Sequence, residues 1–296
     1  MQDWGYLLGV FIAISAGIAS NFGMLLQKKA INELPKGEKI GRKLLKNPIW
    51  VVGIFIGVIL GAMLFFLANT PQWGVGAGLV PGLSAFGLII LAIGSTKILN
   101  ERINRQDVLG ILLMIGGITL LGLSELEIKI DNLSSLDLGF FIRATLFTTI
   151  FVSISLFCHY FQRKNEQYRG LFLVIFSGSM FAASNLWVAV VMSLFGPVFG
   201  AGQYIGLFAI TCIILIITNV IGIFKLQQAF LHGDVSKLVP VQLVPIQIGP
   251  IFVYFVIFTL VPPQIYSLPF LIVGVFLILV SSTFLARRQA QLEEIK

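Results

Sequence analysis

Apolar runs of about twenty residues, each long enough to cross a bilayer as a helix, recur from one end of this chain to the other. No other feature restricts the fold as much. A chain in hydrocarbon must satisfy its own backbone N–H and C=O groups, so such runs become packed spanning helices. The composition agrees. Of 296 residues, 57% are hydrophobic and 11% charged, and the mean hydropathy is +0.96. No soluble globular domain needs that balance. The expected class is all-α, a polytopic integral membrane protein. Only Met1, Gln2, Asp3 and Trp4 precede the first span, with no basic n-region, so a cleaved signal peptide is not expected.

The net charge of +7 sits in particular loops, which reads as topology rather than nucleic-acid binding. Spans are predicted at 6–26, 49–68, 76–99, 108–124, 138–161, 170–194, 204–224, 238–260 and 266–285. Lys28, Lys29, Lys36, Lys39, Arg42, Lys43 and Lys46 crowd the loop 27–47, where a short surface helix around 39–45 is allowed. Lys97, Arg102 and Arg105 mark the end of the third span, Arg163, Lys164 and Arg169 follow the fifth, and Arg287, Arg288 and Lys296 the last. The segment 125–137 carries four carboxylates and one lysine, and the loops 69–75 and 195–203 carry no charge. Nine spans with the N-terminus outside and the C-terminus inside put every basic cluster on one side.

The stretch 205–260 reads as two spans about a polar break at 226–237. Three prolines and two glutamines, Pro240, Gln242, Pro245, Gln247 and Pro250, then interrupt the eighth span. Freed carbonyls and amide side chains in lipid need partners, so this span is expected to be broken and to face other helices or a polar cavity. Residues 69–81 match 228–240 in length, and both end in Leu-Val-Pro. Ser15 to Asn21 echoes 178–185, which ends in Asn185. The same order in both halves points to a duplication: residues 1–137 as one four-helix repeat, 138–161 as a linking span, and 162–296 as a second repeat of opposite orientation.

Polar residues inside the spans are the site candidates. Asn21, Ser84, Asn185, Asn219, Gln242 and Gln247 either line a substrate path or join helices by interhelical hydrogen bonds. Gly178 and Ser179 permit close packing or a backbone-lined site. Gly53, Gly57 and Gly61, at every fourth position, leave a smooth face for another helix. Glu101 pairs with Arg102, Arg105 or Lys97, or gates the path. Lys225 snorkels to water or holds an anionic headgroup or substrate, and Arg143 carries the same ambiguity near the other end. No carboxylate falls in mid-span. Cys158 and Cys212, His159 and His232 make no ligand cluster or disulfide spacing, and there is no phosphate-binding glycine loop, HExxH or nucleophile elbow. An enzyme, an ATP-driven pump and a bound cofactor are not expected, and a metal site is left unassigned.

The run Leu79-Val80-Pro81-Gly82-Leu83-Ser84-Ala85-Phe86, then Leu99-Asn100-Glu101-Arg102-Ile103, then Gly110 to Gly116 and Gly117, resembles the half-repeat of the drug/metabolite transporter (DMT, EamA-like) superfamily. Nine spans, the basic loop from Gln27, Lys28 and Lys29, and a second span opening with Trp50 and Gly53 resemble its NIPA-like magnesium-transporter branch. The resemblance covers residues 7–285 and implies a secondary transporter in the plasma membrane. Eukaryotic members of the branch carry an acid in the second span, where this chain has Val58, Ile59, Leu60, Gly61, Ala62 and Met63. They carry a lysine where this chain has Asn185. A neutral, amide-rich interior suits a small organic metabolite or amphipathic compound, with magnesium ion as the alternative and a non-transporting scaffold or sensor as a further one. The expected partners are that substrate, the lipid bilayer and, as an option, a second copy of the chain in a homodimer.

Overall fold

A computed structural model describes residues 2–33, 44–68, 79–126 and 137–294. The described residues are helices and short connections. The helices are α1 (Gln2–Asn32), α2 (Pro48–Ala68), α3 (Leu79–Ser84), α4 (Gly87–Leu99), α5 (Arg105–Leu123), α6 (Leu138–Lys164), α7 (Arg169–Ala201), α8 (Ile205–Phe230), α9 (Val235–Ile257) and α10 (Ser267–Glu294). Eight of them are long and apolar enough to cross a membrane, all but α3 and α4.

The expected third span is thus two helices with a turn at Ala85 and Phe86. Its first residues, 76–78, lie outside the described residues, as do most of the basic loop (34–43), the loop 69–78 and most of the acidic segment (127–136). Of the expected surface helix, residues Leu44–Lys46 form one 3-10 turn. Helices also run past the ends expected from hydropathy. α1 continues through Gln27, Lys28 and Lys29 to Asn32, because a basic last turn complements the helix dipole. α7 continues through Pro197 to Ala201 and closes on Gly202 at φ +65. α8 runs on to Phe230, so the polar break shrinks to residues 231–234. The eighth span is not broken: α9 carries all three prolines and ends in a π-helical turn, Val253–Ile257. A second π turn, Phe55–Leu60, lies within α2.

The chain forms two compact units. The first comprises Met1–Leu126, Gln227–Val241 and Pro262–Lys296, and the second comprises Glu127–Leu226 and Gln242–Val261. In the first unit α1 packs on α2, α3 and α4, and α10 packs along α5. Glycine makes these contacts: a Cβ on Gly23 would overlap the Gly57 backbone, and one on Gly61 would overlap the Ser20 hydroxyl. The smooth face expected from Gly53, Gly57 and Gly61 is therefore the face on which α1 lies. Gly117 and Gly274 also bring α5 and α10 into backbone contact. The second unit is built differently. Phe140, Phe147 and Phe151 of α6 interleave with Leu186, Trp187, Val190 and Leu194 of α7 and with Val253 and Ile257 of α9.

Candidate functional site

Two polar constellations lie in the first unit. One surrounds the α3–α4 turn. Here α1 is so near that a Cβ on Gly17 would overlap the Ser84 carbonyl, and one on Gly87 would overlap the Gly17 backbone. Asn21, one turn along α1, is 8% exposed and donates Nδ2 to the Gly17 carbonyl at 2.9 Å. Its Oδ1 is buried without a hydrogen-bond partner. A buried acceptor left open is unusual and costs about 1–3 kcal/mol unless something donates to it. Asn21, Gly17, Ser84 and Gly87 thus meet where a helix is interrupted.

The other constellation gathers around residues 231–234. Asn100 adopts the left-handed conformation (φ 56), closes α4 and turns the chain. Glu101 is thereby aimed at the start of α9. Its Oε1 accepts from the Val235 amide (2.8 Å), and its Oε2 accepts from the Ser236 amide (3.2 Å) and hydroxyl (2.8 Å). The expected pairing with Arg102, Arg105 or Lys97 is corrected: the carboxylate caps a helix N-terminus distant in sequence, where the dipole favours an anion. Burial pushes the Glu101 carboxyl above its ordinary range; Asp234 adds to the rise, and the bonds from Ser236 and Val235 oppose it.

Beside it Lys237 is fully buried. Its ammonium donates to Asp234 Oδ2 (2.8 Å) and the Arg102 carbonyl (3.3 Å), and lies 3.8 Å from Asp107, itself 1% exposed. Asp107 is held by the capping box that opens α5, accepting from the Asn104 amide at 2.9 Å. From the end of α1, Lys28 donates to the carbonyls of Phe230 and Gly233, the latter at 2.8 Å. A chain of amide bonds continues outward: Trp50 Nε1 donates to Gln227 Oε1 (3.1 Å), Gln227 to Gln27, and Gln27 Nε2 to the Gly53 carbonyl (3.1 Å). Connected networks of this kind strengthen one another in a low dielectric.

The second unit holds the remaining candidates. Asn219 donates Nδ2 to Ser184 Oγ (2.7 Å) and the Leu215 carbonyl (2.8 Å). Gln242 donates to Ser177 Oγ (2.9 Å), and Ser177 donates to the Gly222 carbonyl (2.8 Å). Gly178 admits the α9 backbone: a Cβ there would lie 2.5 Å from the Pro245 ring. The buried Ser179 hydroxyl has no partner, nor has the buried Nε of half-exposed Arg143. Asn185 is exposed and Gln247 half-buried. Lys225 meets His159 and the Phe176 ring. Within the second unit the structure thus joins Asn219 to Ser184 and Gln242 to Ser177, but gives Asn185 neither partner.

Lys237, Asp107, Asp234, Lys28 and the Gln27–Gln227–Trp50 chain were not among the expected site residues. One signal was readable: Asn104 with Asp107 three residues on is a capping-box pattern. Among the described residues, no three His, Cys, Asp or Glu side chains stand close enough to hold a dehydrated metal ion.

Fold and polar interior define an integral membrane protein built from packed apolar helices. The magnesium transporter NIPA family matches residues 4–291, and the chain belongs to that family. No curated protein and no solved structure matches it. The chain is therefore a member of a membrane transporter family, and the match favours magnesium over the organic metabolite expected from the neutral interior.

Proposed function

We propose that this protein carries magnesium across the plasma membrane, by alternating access between two inverted four-helix halves. Membership of the magnesium transporter family over residues 4–291 carries this reading. The chemistry of the candidate path accords with it in a particular form. Magnesium gives up its waters reluctantly and is often held through them. A hydrated ion presents hydrogens outward, so a site for it needs acceptors rather than a carboxylate cage. Asn21 Oδ1, buried and without a donor, is such an acceptor. In the same unit the Ser84 hydroxyl stands at the α3–α4 turn beside it, and the amides of Asn185, Asn219, Gln242 and Gln247 in the other unit are further candidates. Neutral acceptors bind weakly enough to release the ion on the far side.

In this reading the N-terminus is outside and the C-terminus inside. Glu101, Lys237 and Lys28 hold the α8–α9 connection at the inner end of the path. Reconstitution into liposomes containing a magnesium-sensitive dye tests the proposal. Flux above that of empty liposomes, reduced about tenfold in Asn21→Ala by loss of one charge-assisted acceptor, is expected. No flux from folded protein, with stabilisation by an organic metabolite instead, would overturn it. Single cysteines at Lys39 and Ser134 test the topology, since only the second should react with an outside reagent.

A further inference from the structure

His159, near the end of α6 in the second unit, is surrounded by more donors than it can serve. Its Nδ1 is 2.5 Å from Gln162 Nε2 and 3.3 Å from Lys225 Nζ, and its Nε2 is 3.1 Å from an Arg163 guanidinium nitrogen. Lysine and arginine only donate, and a neutral imidazole accepts at one nitrogen only. If the Gln162 amide turns its oxygen to the ring, Nδ1–H donates to it and Nε2 accepts from Arg163. Lys225 then faces a donor. With the other tautomer Nδ1 accepts, and Arg163 faces an N–H. A protonated ring accepts nothing. In every arrangement at least one cation lacks an acceptor on the ring.

The surroundings add positive charge. Arg163 and Arg169, the first residue of α7, both act on Lys225 as like charges. Lys164 lies 4.5 Å from the Tyr160 ring, and Lys225 lies 5.1 Å from that of Phe176. The nearest acid in sequence, Glu166, is exposed. The ion pairs of Lys237 with Asp107 and Asp234 include none of these four cations. The N-cap of α7, Tyr168, makes no side-chain capping bond, and the Arg169 amide donates to the Glu166 carbonyl.

We propose that Lys225, Arg163 and Arg169 bind a phosphate group. An anion among them supplies the acceptors the imidazole cannot and neutralises a like-charge cluster. The cluster lies where the apolar runs of α6 and α8 give way to polar residues, the depth of a phospholipid headgroup. The phosphate of an anionic lipid and a soluble phosphate offer the same chemistry, and the experiment separates them.

The full chain, purified in detergent, is incubated with phosphatidylglycerol or phosphatidylcholine, and retained lipid is read by native mass spectrometry. Preferential retention of phosphatidylglycerol is expected, falling about fivefold for each of Arg163→Gln, Arg169→Gln and Lys225→Gln and kept in Lys225→Arg. In a second arm, thermal stability is measured with inorganic phosphate against chloride at equal ionic strength. A phosphate-specific gain that Arg163→Gln abolishes, without lipid preference, supports the site and assigns it to a soluble anion. Arg163 and Arg169 are exposed, so their variants report binding even where a Lys225 variant fails to fold. No preference in either arm, or a preference that all three variants retain, overturns the proposal.

Discussion

The two units of this protein solve the same problem by different means. In the first, backbones touch: α1 lies against α2, α3 and α4 through Gly17, Gly23, Gly57, Gly61 and Gly87, and buried charges fix the ends. In the second, side chains fill the space: phenylalanines of α6 meet Leu186, Trp187 and Leu194, and polar bonds within this core are neutral ones, such as Trp187 Nε1 to Thr148 at 3.0 Å. Lipid tails are as apolar as leucine, so association must come from close packing or buried polar bonds. A glycine interface tolerates no added atom. An aromatic core tolerates small losses, and a charged cluster tolerates loss of neither sign.

The sharpest way to break the comparison is to remove the buried lysine. Lys237→Met takes the buried cation from beside Asp107 and should cost about 3–5 kcal/mol, seen as a drop of roughly 10 °C in Tm in detergent. The neutral counterpart in the second unit, Gln242→Leu, should cost only about 1 kcal/mol, because Ser177 still donates to the Gly222 carbonyl. Equal losses would remove the distinction between the units.

Glycine comes next. Gly23→Ala forces a methyl into the Gly57 backbone and should cost about 1–3 kcal/mol by thermal unfolding. In the second unit Gly206 has nothing within 4 Å of an added Cβ, so Gly206→Ala should gain somewhat under 1 kcal/mol from helix propensity.

A finer test uses pH. The Glu101 carboxyl titrates above its ordinary range in the folded protein, chiefly through burial. As pH rises between the unfolded and the folded pKa, the unfolded chain has given up this proton and the folded chain still holds it. The unfolded state binds fewer protons there, so Tm should fall as pH rises through that window. Glu101→Gln should flatten the fall, and an unchanged slope would place the titration elsewhere.

Much of this architecture was legible in the sequence. Apolar runs of spanning length marked the helices, and a glycine at every fourth position of α2 marked the face that α1 covers. Hydropathy ended α1 and α8 too early because the helix outlasts its apolar stretch: Lys28 and Gln227 remain helical while bonding to distant polar groups. For Glu101 the sequence offers its charged neighbours or a gate, because charges announce themselves in sequence. Its actual partners are the amides of Val235 and Ser236, and the backbone leaves no signature in residue identity. Asn21 stood out as a candidate because an amide in mid-span is conspicuous. The α3–α4 turn beside it was concealed by an uninterrupted apolar run.

The first unit is assembled from three separated pieces of chain, which sets an order on its completion during synthesis. A nascent chain that has reached Leu226 already carries Glu101 and Asp107, but neither the amides that Glu101 caps nor the lysine beside Asp107. These acids wait, beside an α1 already in place, for a further stretch of translation to deliver Val235, Ser236 and Lys237. α10, which covers α5 along Gly110 and Gly117, arrives later still. A chain cut short after Leu226 therefore cannot be a smaller version of this protein, because its unpaired acids and bare glycine face have nothing to close on.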